Sequence, residues 1–438
     1  MLFILNVFIA LIGFVYYSKR TIDYGMLLSP HMIIWGMPLL LLFYPAWLNR
    51  PFYINDSSFN LIMTLGLIGS LIGCLIVKIP RFGVGLVGAC REEDRAHIPD
   101  VFLKAGAALY LIFLLYHIVE PVVISKSITA ALSVSRLDQY LSGGILKGSG
   151  IELLFLFPEI LFYIYIGACF NKRRYYRALA LCLVLSLYYV FNANTRLPMI
   201  MPLASVIIIF IPRLSRRLLL WLAPFILMSA IVFVFAFSVL GNAIRWGRLS
   251  SGDDLVEGIK LSFEAQNRLE LGYYDWLYHL YDAIELGQVP PDNGAAWCYY
   301  GPISIFPRAL WPDKPLTSTS NRLTEGVYNS RIGSGIPITT FTIYGEGFWQ
   351  AGYLGAFLAP VLFMVIYGML IKNIQFFQNT EFWLAMLMCQ MATFFRGELP
   401  VPQFITTMFF IVFLWLIWQK WEWLENMATH FYKMILIR

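Results

Sequence analysis

Charge is what this chain has least of. Only 13% of its 438 residues are Asp, Glu, Lys or Arg, while 59% are hydrophobic, against roughly 45–50% apolar residues in a soluble domain. That balance excludes a water-soluble globular protein. Cysteine is scarce as well: of six, Cys74, Cys169, Cys182 and Cys389 fall in or beside apolar runs, Cys90 lies in a polar loop, and only Cys298 reaches the longest loop. This pattern offers no disulfide framework and no zinc spacing. The five histidines, His31, His97, His117, His279 and His430, are scattered, so no metal centre is expected and no cofactor is implied. The first apolar run has neither a basic stretch before it nor a small-residue cleavage site after it, and is expected to be a retained helix. No internal repeat is visible.

What the chain has in quantity is apolar runs close to the ~20 residues that cross a bilayer. About 11 of them are expected to be transmembrane helices, near 2–18, 28–48, 59–77, 103–123, 152–170, 178–193, 197–211, 218–241, 343–371, 382–395 and 402–418. The fold class is therefore an all-α polytopic membrane protein. Residues 1–241 hold helices one to eight, 242–342 form one large loop, and 343–438 hold the last three helices and a tail. With the N-terminus outside, the inner loops and tail collect about 18 Lys and Arg against about 6 in the short outer loops, the positive-inside pattern. The large loop then lies on the outer side. The net charge of +6 is mostly this topology signal and gives no reason to expect nucleic acid as a partner.

Several motifs are weaker than they look. Gly83-Val84-Gly85-Leu86-Val87-Gly88 matches a dinucleotide fingerprint in letters, but it follows an apolar helix instead of a strand and lacks the βαβ context. Glu159, beside Pro158 within the fifth run, reads either as an intramembrane relay group or as a partner for backbone groups the proline frees. Arg196 and Arg396 sit at the outer ends of helices, where an arginine either snorkels to phospholipid headgroups or meets a substrate.

The large loop divides by charge. Residues 242–292 carry about nine acids against about four bases, and Leu271, Tyr274, Leu277, Tyr278, Tyr281 and Ile284 follow helical spacing. An amphipathic helix lying over the membrane part is expected there. The second half holds Arg308, Lys314, Arg322 and Arg331 among prolines, aromatics and small polar residues, and reads as an irregular loop. Arginine suits bidentate recognition of phosphate and lysine adds a compact point charge. Aromatics such as Tyr300, Trp311 and Tyr344 offer flat faces for sugar rings, although interfacial Tyr and Trp also anchor membrane helices. A sugar linked to a lipid diphosphate fits this set.

The run Phe306-Pro307-Arg308-Ala309-Leu310-Trp311-Pro312-Asp313-Lys314-Pro315, an amphipathic stretch before it, GEGFWQAGYLG (345–355) after it and Arg396-Gly397 before the last helix resemble the Wzy-type O-antigen polymerases, the oligosaccharide repeat unit polymerase family. The resemblance covers most of the chain as topology, with its specific residues in 299–350 and at Arg396. It implies a GT-C-like glycosyltransferase of a bacterial inner membrane, its large loop periplasmic. The implied reaction joins oligosaccharide repeat units carried on undecaprenyl diphosphate, without a metal, and leaves room for a chain-length regulator as a protein partner. Arg308, Lys314 and Arg322 are then expected to stabilise the departing diphosphate, with Arg136, Arg196, Arg331 and Arg396 as further diphosphate ligands. Glu346 is the first choice as general base, ahead of Asp313 and Glu398; the alternative for Glu346 is a helix cap or an ion pair. Two other functions stay open: an O-antigen ligase on the same carrier, and a lipid-linked oligosaccharide flippase or transporter coupled through Glu159, His117 and Glu120.

Overall fold

The computed structural model describes residues 1–23, 28–49, 52–78, 96–125, 152–189, 196–210, 273–303, 341–397 and 399–436, together with Phe306, Trp311, Asp313, Pro315, Arg322, Leu323 and Val327. These residues are helical almost throughout; the β-type pairing among them is an isolated parallel bridge between Ala96 and Phe377. The described residues of the other ten expected membrane segments are helical over most of their length, and 218–241 lies outside the described residues along with the first part of the large loop. The helices are α1 (Leu2–Asp23), α2 (Pro30–Pro38), α3 (Tyr44–Asn49), α4 (Ser57–Ile76), α5 (Asp100–Ser125), α6 (Glu152–Asn171), α7 (Tyr175–Tyr188), α8 (Arg196–Phe210), α9 (Tyr273–Glu285), α10 (Thr342–Ile374), α11 (Glu381–Phe394) and α12 (Val401–Leu436). Among the described residues, five helices are long and apolar enough to cross a membrane: Leu2–Thr21, Ser57–Ile76, Asp100–Glu120, Thr342–Ile374 and Phe404–Trp423. The chain is a helical, membrane-embedded, multi-pass protein.

Local sequence explains the helix ends and breaks. Asp56 caps α4 by accepting from the amide of Phe59 at 3.0 Å, and Ser29 caps α2 by accepting from Met32 at 3.2 Å, with Pro30 at the first helical position. Both are ordinary N-terminal solutions for amides that lack an intrahelical partner. Pro38 is followed by a π-turn over Leu39–Phe43 that joins α2 to α3; the proline supplies no amide to the helix ladder. α12 runs on to Leu436, well past the 402–418 span expected for the last crossing.

Loops expected on one side of the membrane meet each other. At one end, His31 Nε2 lies 2.7 Å from the carbonyl of Val77, Lys172 pairs with Asp100, and Asn171 donates to Asn379 and Glu381. At the other, Phe3 and Phe59 pack edge-on against Tyr274 of α9, and Phe59 also meets Tyr278 and Tyr281. The 20-residue α4 spans about 30 Å between these ends.

At the centre, α4 packs along α10 through a row of small residues. A Cβ at Gly69 would fall 2.1 Å from the carbonyl oxygen of Phe357, at Gly66 2.6 Å from the Tyr344 ring, and at Gly73 2.9 Å from Met364 Cβ. Such small-residue seams let helices approach where lipid offers no hydrophobic drive between them.

α10 is not one rod, although a single helix over 343–371 is the expectation from hydropathy. Its backbone leaves helical geometry at Ala351 and at Gly352, where φ is 59° and ψ −145°, a conformation that favours glycine strongly. A Cβ at Gly347 would stand 2.3 Å from the carbonyl oxygen of Gly355; in a straight helix, positions eight apart are separated by about 12 Å. The segment 342–350 therefore folds back against the start of 353–374. The latter is about 33 Å long, enough to cross a bilayer alone. The former is a half-helix of about 13 Å, buried at every position from Thr342 to Gln350.

Candidate active site at the half-helix

The half-helix 342–350 is tied to other segments at its start, middle and end. At its start, the amides of Thr342 and Ile343 donate to the carbonyls of Arg396 and Phe395 at 2.8 and 3.0 Å. At its end, the carbonyls of Trp349 and Gln350 accept from the amides of Asp292 and Gly294 at 3.0 and 3.1 Å. These bonds satisfy backbone groups that helix ends otherwise leave open. The indole of Trp349 also donates to the carbonyl of Pro290 at 2.9 Å. In the middle, Glu346 is 1% exposed; one oxygen accepts from the Trp297 indole at 3.0 Å and the other from the amide of Leu399 at 2.6 Å. One carboxylate thus joins the half-helix to the 290–300 segment and to the turn between α11 and α12.

Beside the C-terminal end sits a half-buried charge pair. Arg322 makes a two-point contact with Asp292, through Nη2 to Oδ1 and through Nη1 to Oδ2 at 3.4 Å. Its guanidinium lies 3.8 Å from the ring centre of Tyr300 and 5.0 Å from that of Trp349, distances at which cation–π attraction operates. At the N-terminal end Arg396 donates through Nε to the hydroxyl of Tyr273 and lies over its ring at 5.1 Å. Two arginines consequently flank one short helix, each laid on an aromatic face.

α9 roofs this arrangement. Tyr273, Tyr274, Leu277, Leu280 and Ala283 are buried, Tyr278, Tyr281 and Ile284 half-buried, and a Cβ at Gly345 would come 2.6 Å from Leu277. The expected amphipathic helix is present over Tyr273–Glu285, and Leu271 lies outside the described residues. Burial, then the nearby Asp275 and Asp56, push the Tyr274 phenol well above its ordinary value, so it serves the packing as a neutral group.

Comparison with protein-family models, with curated proteins and with solved structures returned no match. The site must therefore be read from its own residues.

The structure sorts the expected site residues into three groups. Arg322, Arg396, Tyr300 and Glu346 come together around the half-helix. Tyr344 does not act as a sugar platform: it is buried, its ring packs against Gly66 and Phe395, and its hydroxyl lies 3.2 Å from that of Ser70. A buried ring leaves no face for a sugar. The Glu346 carboxyl is enclosed, and its oxygens accept from the Trp297 indole and the Leu399 amide, contacts that are neither the helix cap nor the ion pair expected as the alternative to a base. Trp311 and Asp313 are exposed and stand apart from these contacts. Arg136, Arg308, Lys314, Arg331 and Glu398 lie outside the described residues, and Arg196 opens α8 with a side chain that does too.

Two contributors escaped the sequence reading. Asp292, within Pro290-Pro291-Asp292-Asn293-Gly294, carries the signature of a turn, and nothing local marks it as the partner of Arg322. Gln350 donates to Asp292 Oδ2 at 2.9 Å. The available signal was the glycine pattern of 345–355, which marks a place where backbone approaches backbone.

Proposed function

We propose that this protein is a metal-independent glycosyltransferase that joins lipid-diphosphate-linked oligosaccharide repeat units, in the manner of the Wzy-type O-antigen polymerases it resembles. In this reading all eleven apolar segments cross a bacterial inner membrane in a GT-C-like arrangement, and the half-helix faces the periplasm. The observation that carries it is the Arg322 cradle. This arginine uses two of its five N–H donors on Asp292, its side chain keeps 20% exposure against 5% for Asp292, and among the described residues its other three donors have no hydrogen-bond partner and are available to an anion.

The chemistry then follows from charge. The bond between the anomeric carbon of the growing glycan and the diphosphate oxygen breaks, and negative charge builds on the departing undecaprenyl diphosphate. An acceptor hydroxyl on the next repeat unit forms the new bond to that carbon, and its proton passes to the departing diphosphate. Fixed guanidinium groups at the membrane boundary stabilise the leaving group, an effect worth about 10²–10³-fold in rate per donor. Tyr300, Trp311 and neighbouring aromatics guide the sugars, while Glu346 holds the half-helix in register.

A second reading, transport of lipid-linked sugar, draws on another observation. Glu159 lies within α6, accepts from Tyr163, and Tyr163 stands 3.4 Å from the hydroxyl of Tyr189; His117 Nδ1 lies 3.7 Å from Glu120 on α5. Ionisable groups at membrane depth commonly mark ion or proton paths. The two readings part in a complementation assay in a strain lacking the gene. The polymerase reading expects Arg322→Ala to collapse the surface polysaccharide to core plus a single repeat unit, with Glu159→Gln near normal. Normal chain lengths in Arg322→Ala with loss of function in Glu159→Gln would select transport. Polymer retained on the lipid carrier, with none attached to core, would select the ligase.

A further inference from the structure

We infer that Asp292 is the positioning residue for Arg322, an inference that rests on the glycosyltransferase reading above and adds a member to its machinery. Asp292 is the better-buried partner, and its carboxylate has a full set of donors. Oδ2 accepts from the amide of Ala296 at 2.6 Å, from Gln350 Nε2 at 2.9 Å and from Arg322 Nη1 at 3.4 Å, while Oδ1 accepts from Arg322 Nη2. Its own amide is bonded to the carbonyl of Trp349 at 3.0 Å. The carboxylate is thereby fixed to the half-helix by backbone and side chain before it meets the arginine.

Among the described residues Arg322 is held by nothing comparable. It lies 30 residues further along the chain from Asp292, and its other contacts with described residues are the faces of Tyr300 and Trp349, which restrict tilt but leave rotation in the ring plane. The two-point contact removes that rotation, since a guanidinium fork meets a carboxylate in one plane. Asp292 takes the Nη1–Nη2 edge of the fork, and the remaining N–H groups point away from the carboxylate. Asp292 therefore decides which donors a diphosphate encounters. Because it offsets the charge of Arg322, its contribution lies in geometry and not in attraction.

A double-mutant cycle on the full-length protein in proteoliposomes tests this, using a lipid-diphosphate-linked repeat unit as substrate and rates per folded enzyme. Arg322→Ala is expected to lower kcat about 10²–10³-fold. Asp292→Ala is expected to lower it about 10²-fold, the scale of a misplaced catalytic group, with KM near the parent value. The double variant should be no slower than Arg322→Ala, because a positioning residue has nothing left to position. If Asp292→Ala slows the Arg322→Ala enzyme by the same factor as the parent, the inference is overturned and Asp292 acts independently. If the parent itself makes no polymer from this substrate, the glycosyltransferase reading fails, a result distinct from independence within an active series.

Discussion

The two ends of the helical bundle use the same residue types to opposite effect. At the end away from the half-helix, Lys172 and Asp100 pair at 3.1 Å with 53% and 45% of their side chains exposed, and Lys104 joins at 3.9 Å. Backbone bonds also join the segments there: Ala96 donates to Phe376 at 3.0 Å and accepts from Gln378 at 3.1 Å. At the half-helix, Arg322 and Asp292 are 20% and 5% exposed, and Glu346 is enclosed. Exposed pairs contribute about 0–1 kcal/mol because water competes for both partners. Breaking a buried pair costs about 3–5 kcal/mol, mostly from the charge left behind. Charge at one end decorates a backbone junction, whereas at the other it determines which segments meet.

That contrast can be attacked where it is strongest. Arg322→Ala leaves Asp292 enclosed without its cation, and is expected to destabilise the detergent-solubilised protein by about 3–5 kcal/mol, read as a lowered thermal midpoint. Glu346→Gln comes next. An amide presents one acceptor where the carboxylate presents two, so either the Trp297 indole or the Leu399 amide faces an N–H group. A lost bond to a charged group corresponds to about 1.5–3 kcal/mol. Limited proteolysis should show the turn between α11 and α12 opening first where the amide turns its N–H group to Leu399, and the 290–300 segment where it turns it to Trp297. Equal protection of both segments in parent and variant would remove Glu346 from its joining role.

How much of this was legible beforehand follows the range of each interaction. Hydropathy located the helices because a membrane helix satisfies its backbone within its own segment, and α4, α5 and α11 begin within three residues of expectation. The amphipathic α9 was legible for the same local reason. The break in α10 was not, because its apolar letters continue across Ala351 and Gly352, and only the fold-back of Gly347 onto Gly355 shows what the glycines are for. Tyr344 looked like an interfacial platform, yet Gly66, nearly 280 residues away in sequence, opens the slot that swallows its ring. Asp292 illustrates the limit most clearly: its partners lie 4, 30 and 58 residues away, and a turn motif conceals a half-buried ion pair. Arginines among aromatics suggested a binding surface, but which arginine meets which ring is a tertiary fact.

Smaller effects sharpen the comparison. Gly352→Ala places a Cβ on a backbone at φ 59° and ψ −145°, at a strain of about 1–3 kcal/mol. Beyond its own chain neighbours, no described residue lies within 4 Å of that Cβ, so the cost comes from the backbone. If the fold-back positions the Arg322 cradle, this variant should lose the proposed activity more than stability, because 342–350 would tilt while 353–374 stays packed on α4. The smallest effect belongs to the opposite end. Lys172→Ala should change the stability, read from the thermal midpoint, by less than about 1 kcal/mol, and that little should vanish in 1 M salt, where the screening length is about 3 Å. The Ala96 bridge explains why: its two backbone bonds persist without the lysine. Should Lys172→Ala instead destabilise the protein as much as Arg322→Ala, the exposed pair would be doing the joining at its own end, and burial would no longer distinguish the two halves of the bundle.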